Sequence, residues 1–266
     1  MKSNAIARIV LYSLLILLLV GVLCVGLFAD LFTIHGGSVT TTSTTSGETV
    51  SLNASEVSKI KIDWAAGDIT IVTADTDTIS FCESGEISEK YTMTYACKDG
   101  TLEIDYAKSS VTVGFGSIPS KDLTITVPQD WVCQELELDG AALEVEINGL
   151  TVREFDIDGA SNEITFTGSF EILECDGAAC ELTLNCLEKP QKIDLDGASV
   201  EMTLCLPEDC GFLVQMDGLG CSFHSGAHSV NSSGNYMYGD EYCKVYADGL
   251  SCSITINHAP QTAEVN

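Results

Sequence analysis

The chain has 266 residues, of which 45% are hydrophobic, enough to bury a core in one large or two small domains. Its 12 basic residues against 39 acidic ones leave a net charge of −27, a field that repels a phosphate backbone and excludes nucleic acid as a partner class. Cations, basic peptides and cationic surfaces stay open to it.

Residues 1–8 carry Lys2 and Arg8 and read as a short cytoplasmic tail. From Ile9 to Ala29 the sequence IVLYSLLILLLVGVLCVGLFA holds no charge and matches the ~20 residues that cross a bilayer core as a helix. A cleaved signal peptide is the rival, but Leu27-Phe28-Ala29 makes a poor cleavage site and the apolar run is long for one. The basic flank keeps the N-terminus inside, so the lipid bilayer is the partner of residues 9–29 and everything after them is expected outside the cell membrane, on a single-pass protein. Residues 30–58, with the run HGGSVTTTSTTSGETVSLN, are too polar to offset their own ordering entropy and are expected to form a flexible linker.

From Ile60 onward short alternating segments rich in Val, Ile, Thr and Leu are separated by Gly, Asp and Asn, the pattern of many short strands. Asp139, Asp158, Asp176, Asp196 and Asp217 recur at intervals of 19, 18, 20 and 21 residues, each followed by Gly, with Asp248 after a longer gap and an earlier copy at Asp63. The residues just before each Asp (Ile62, Leu138, Ile157, Cys175, Leu195, Met216), and those two, four, six and eight places after it, form columns assigned to the interior; the column two places on comprises Ala65, Ala141, Ala160, Ala178, Ala198, Leu219 and Leu250. The expected fold is therefore all-β, a β-helix-like solenoid of about six to seven coils, with a sandwich as the competing architecture. Residues 59–135 are expected to supply N-terminal strands and a cap, 136–257 the regular repeats, and 258–266 a disordered tail; the loop over 108–122 is either part of the cap or a contact loop.

The unit x-I-x-[ST/D]-G-[SA]-x-x-[IVL]-x-[IVL] followed by Asn-Gly or Thr-Gly, together with DLTITVPQD (Asp122 to Asp130) just before the regular units, resembles the bacterial putative-adhesin family with β-strand repeats, related to GIN-type adhesin heads. The resemblance covers roughly 59–257 and implies a β-helix-like domain on a bacterial envelope, often behind a membrane segment, with no catalytic residues to carry over. Many relatives have Ser or Thr at the corner where this chain has Asp.

Stacked units place like residues ~4.8 Å apart, so Asp139, Asp158, Asp176, Asp196 and Asp217 are expected to form one acidic column. Glu144, Glu163, Glu181 and Glu201 form a second on the outer surface, and Glu137, Asp156, Glu174 and Asp194 a third. Two carboxylates ~5 Å apart repel by about 3 kcal/mol at an effective dielectric of ~20. Two readings of the Asp column follow: each carboxylate caps backbone donors at a φ > 0 Asp-Gly bend, or divalent cations, the one cofactor class considered, bridge the carboxylates. Cys180, Cys221 and Cys252 fall in an inward column, as packed thiols or with Cys221–Cys252 as a disulfide. No G-x-S-x-G, H-E-x-x-H, P-loop or dinucleotide fingerprint occurs, and no enzymatic activity is expected. The functional expectation is a membrane-anchored surface domain for binding or display, its partners a cell-wall polymer, a cationic peptide or another envelope protein; recognition of cationic peptides as a signalling accessory is the alternative, and a carbohydrate-active enzyme a more distant one.

Overall fold

Alternation of apolar and polar residues makes extended chain nearly everywhere in the structure, a computed structural model that describes residues 42–43, 47–85, 87, 91–107 and 118–259. The described residues belong to one compact unit, comprising Thr40–Lys108 and Val113–Asn266. The tail at 1–8, the apolar segment at 9–29, most of the 108–122 loop and all but the start of the 258–266 tail lie outside the described residues. Among the described residues no helix is long and apolar enough to cross a membrane.

The N-terminal strands are β1 (Thr42–Ser43), β2 (Val50–Asn53), β3 (Lys59–Asp63), β4 (Gly67–Ala74), β5 (Thr78–Gly85), β6 (Thr94–Lys98), β7 (Thr101–Asp105) and β8 (Lys121–Pro128). The repeat region contributes β9 (Val132–Cys186), β10 (Lys192–Leu206), β11 (Phe212–Ser225), the short β12 (His228–Val230) and β13 (Gly234–Tyr238), and β14 (Cys243–His258). The domain is all-β: these strands join in one sheet system, and the long ones bend at corners while remaining paired.

Pairing between repeat units is parallel and in register. Asp63 faces Asp105 on one side and Asp139 on the other; Asp176 faces Asp196, Asp196 faces Asp248, and Asp248 faces Asp217. The order differs from the simple succession the spacing suggests. β14 lies between β10 and β11, so Asp217 neighbours Asp248 and not Asp196. The longer gap before Asp248 holds β12 and β13, which pair antiparallel on β11 and occupy its outer edge. At the opposite end β6 pairs antiparallel on β7 and β5 on β8. Both ends of the parallel stack thus finish in antiparallel strands, which supply partners to edges that would otherwise present open backbone groups.

Why the chain keeps writing Asp-Gly is settled by distances between corners. A Cβ built on Gly159 would lie 2.6 Å from the carbonyl oxygen of Gly140; on Gly177, 2.4 Å from that of Gly159; on Gly197, 2.6 Å from that of Gly177. The series continues through Gly249, 2.3 Å from the Gly197 oxygen, and Gly218, 2.0 Å from that of Gly249. These glycines are not at positive φ, contrary to the turn expected of Asp-Gly; they are required because successive corners touch through their backbones. The contacts also show that the Asp139, Asp158 and Asp176 units stack within β9 itself.

The interior columns are as expected at six and eight residues past each Asp, where Val145, Ile164, Leu182, Met202 and Ile254, and Ile147, Phe166, Leu184, Leu204 and Ile256, are buried. The column two residues past the Asp is a correction. Ala65 is buried, but Ala141, Ala178, Ala198, Leu219 and Leu250 are exposed, Leu219 at 92%, because the corner extends over three residues after the Asp before the chain turns inward again. A second correction concerns the linker over 30–58, which ends sooner than its composition suggests: Val50–Asn53 pairs with β5, and Ala54 and Val57 are buried against the core.

Below the first corner lies a buried ion pair that has no counterpart among the repeats. Lys121, fully buried, pairs with the equally buried Glu83 and donates to the carbonyl oxygens of Tyr91 and Tyr106, each at 2.6 Å. Its ammonium also sits 4.7 Å from the Trp64 ring centre and 4.3 Å from that of Tyr106. Glu83 accepts the Met93 N–H in a bifurcated bond to both its carboxylate oxygens, and Trp64 Nε1 donates to the Lys121 carbonyl oxygen, so the pair is held on several sides.

The corner contact makes a direct prediction. Gly177→Ala forces its methyl against the Gly159 oxygen and the Cys180 sulfur and is expected to lower stability by about 1–3 kcal/mol in denaturant melts. Ala178→Ser, one place along and exposed, is expected to change it by less than ~0.5 kcal/mol. Equal effects of the two substitutions would contradict the touching-corner account.

Candidate functional site

Register converts a sequence repeat into a charged ridge. The corner column runs Asp105, Asp63, Asp139, Asp158, Asp176, Asp196, Asp248, Asp217, three members longer than the five of the expected column, by Asp105 and Asp63 at one end and Asp248 before Asp217. Among the described residues no hydrogen bond joins the five expected carboxylates to a backbone amide, so the capping role fails: each Asp projects outward from a corner whose amides pair with the neighbouring unit. Asp158, Asp176, Asp196, Asp217 and Asp248 are exposed, and Asp63, Asp105 and Asp139 half-buried.

Charge neighbours act on these groups as burial and repulsion require. Desolvation, then Asp105 and Asp139, push the Asp63 carboxyl up to about 7. Desolvation and Glu103 push Asp105 up to about 6. Asp139 is raised by burial against the opposing pull of Lys61, 3.3 Å away, and Asp176 is raised by burial and then by Asp158 and Asp196. In the third column desolvation and Glu174 bring Asp156 up to about 6. Lysines pair with the other members of this column: Lys61 reaches Glu137, and Lys192 spans Glu174 at 2.8 Å and Asp194 at 2.9 Å.

The second column is exposed throughout at Glu144, Glu163, Glu181 and Glu201. Glu144 faces Asp68, and Glu181 faces Glu201; beyond Glu201 it gives way to Ser253 and Ser222, whose hydroxyls are 3.2 Å apart.

At the Asp217 end the ridge borders a recess. Asp194, Asp217 and Asp248, with Gln215, Tyr246 and Asn235, line an open groove of about 630 Å³ where β13 begins beside β11. Among the described residues no ion pair reaches Asp217 or Asp248. The groove thus offers carboxylates, amide groups and one aromatic ring to a cationic group. Sequence reasoning missed it because it depends on β14 entering between β10 and β11. For divalent cations, the described residues contain no group of three or more His, Cys, Asp or Glu side chains arranged to hold a metal ion.

Cys221 and Cys252 are register partners on β11 and β14, as their shared column requires, and both are free thiols. A second thiol pair lies at the Asp176 corner, where Cys175 and Cys180 face each other with their sulfurs 3.1 Å apart.

No family model matches this sequence, and no curated protein matches it. Solved structures do align with it. A "putative cell adhesion protein" from Clostridium sporogenes ATCC 15579 aligns at 15% identity and a TM-score of 0.47, over 80% of this chain and 98% of that one. A "putative adhesin" from Bacteroides fragilis NCTC 9343 gives 13% and 0.44 over the same shares, and a "putative lipid binding protein" from Parabacteroides distasonis ATCC 8503 gives 11% and 0.24 over 82% and 98%. Likenesses this distant assign no activity.

The raised carboxyls fix a pH dependence. An unfolded Asp releases its proton near ~3.9, so between about pH 4 and about pH 7 the folded state holds protons that the unfolded state gives up, and stability falls as pH rises through that window. Melting temperature is expected to be several degrees lower at about pH 8 than at about pH 5, and Asp63→Asn to raise it by clearly more at the higher pH than at the lower. A variant that melts like the parent at both would remove Asp63 from this account.

Proposed function

We propose that this chain is an adhesin-like surface module: a β-solenoid carried on a bacterial envelope by the apolar segment at 9–29, with the acidic domain outside, binding through extended ladders of side chains rather than through a catalytic centre. The observation that carries the reading is the in-register corner column, in which carboxylates of successive units are direct neighbours and most are exposed. A column of this kind has a strong negative potential along its length and draws cationic partners to it. The repeated carboxylates are of one kind in unit after unit, unlike the separated acid and base environments of a glycosidase.

A second reading is favoured by the groove. Asp217 and Asp248 beside Tyr246, with Asp194 already paired to Lys192, suit the ammonium or guanidinium of a basic peptide, or an amine-bearing wall polymer, held in one place rather than along the ridge.

Both are tested by binding of the full chain in detergent to oligolysine and to wall fragments at two salt concentrations. Oligolysine affinity is expected to fall about ten-fold or more between low and high salt, as screening of exposed charges requires. Asp217→Asn with Asp248→Asn is expected to weaken it several-fold if the groove is the seat, and only slightly if the whole column shares the load. Salt-independent retention of neutral wall fragments, with none of oligolysine, would overturn the cationic reading and leave display through neutral contacts.

A further inference from the structure

The residue just before each corner Asp and the one four places after it face each other across the bend. In two units both slots hold aliphatic residues, Leu138 with Leu143 and Leu195 with Val200, all buried. At the Asp176 corner both slots hold cysteine: Cys175 is 0% and Cys180 3% exposed, and their sulfurs are 3.1 Å apart. Beside them lies Asn162, 2% exposed, whose amide nitrogen and oxygen both lack a hydrogen-bond partner. A Cβ placed on Gly177 would be 3.0 Å from the Cys180 sulfur and 3.3 Å from Asn162 Nδ2, so the Asn162 amide and the Cys180 thiol lie close together under the corner.

We propose that Cys175 and Cys180 are an oxidation site, closing an intramolecular disulfide across the Asp176 corner. Both sulfurs are already in contact, and closing the bond needs an approach of about 1 Å to the covalent distance. Rival partners are screened off. Val200 lies between Cys180 and Cys252 in the column, which leaves Cys252 to Cys221 on the next strand.

The step is thiol–disulfide exchange with a disulfide donor such as oxidised glutathione. One cysteine attacks a donor sulfur as its thiolate and releases one glutathione thiolate; the thiolate of the other then attacks the protein sulfur of the mixed disulfide and releases the second. Two protein thiols lose two electrons to the donor, whose bond is cleaved, and their protons end on the two glutathione molecules. Because both cysteines are buried once neighbouring units stack, the exchange takes place while the corner is still open during folding. This site is independent of the proposed surface role, since any compartment or buffer with a disulfide donor suffices.

The sequence provides a clean readout. The full chain is refolded in a glutathione redox buffer, alkylated under denaturing conditions and cut with a glutamate-specific protease, which cleaves after Glu174 and Glu181 and releases residues 175–181, with these two cysteines alone. The expected peptide is unalkylated and lighter by two hydrogens, and doubly alkylated only after reduction. Double alkylation without reduction, or linkage of either cysteine to another peptide, overturns the proposal. As an independent measure, the oxidised chain is expected to melt roughly 5 °C above the reduced one. Cys175→Leu with Cys180→Val, copying the slots of the next unit, is expected to shrink that gap; a gap of unchanged size would count equally against the bond.

Discussion

Backbone contact between successive corners is the constraint from which the rest of this structure follows. With glycine at the bend, the carbonyl oxygen of one corner occupies the space a methyl group on the next would need. That proximity leaves little freedom in how two units superimpose. A slip of one residue would drive a side chain into the neighbouring backbone and would also turn the interior columns of Val, Ile, Leu and Phe toward solvent. Local sterics and hydrophobic burial therefore select the same register, the agreement between levels that gives a chain one native arrangement.

The same register sets carboxylates side by side, a cost the molecule meets differently along its length. Where the column is half-buried, Lys61 lies beside Asp139 and Glu137, and Asp63 holds its proton to about pH 7. Further along, exposure to water and salt lowers the repulsion between neighbours to under about 1 kcal/mol. The far end carries neither remedy from lysine nor deep burial. There the uncompensated charge of Asp217 and Asp248 faces the groove beside β13.

Much of this was legible in the residues. Spacing of the Asp-Gly pairs located the units, and the columns six and eight places on identified the core, because strand periodicity leaves few alternatives once a corner is fixed. The Asp105 unit could have been found too: TLEID repeats the pattern of KIKID, and the two strands are direct partners. The column two places past the Asp was misread because small residues fit equally well inside a core or on a tight exposed bend, and composition does not separate the two. No local signal marks Lys121 as buried, since its compensation comes from Glu83, Tyr91 and Tyr106, which only the fold assembles. The proximity of Cys175 and Cys180 was implicit in two inward columns but required knowing that these columns meet across the bend.

The position of β14 gives the domain a keystone. The next parallel strand after β11 does not extend the stack past it but enters between β11 and β10. Until Cys243–His258 is in place, β11 has no parallel neighbour and its corner has nothing to rest on, so assembly cannot proceed by simple addition of one layer after another. The contact is non-local, joining segments separated by the whole β12–β13 excursion, and β10 and β11 both owe a parallel neighbour to this one strand.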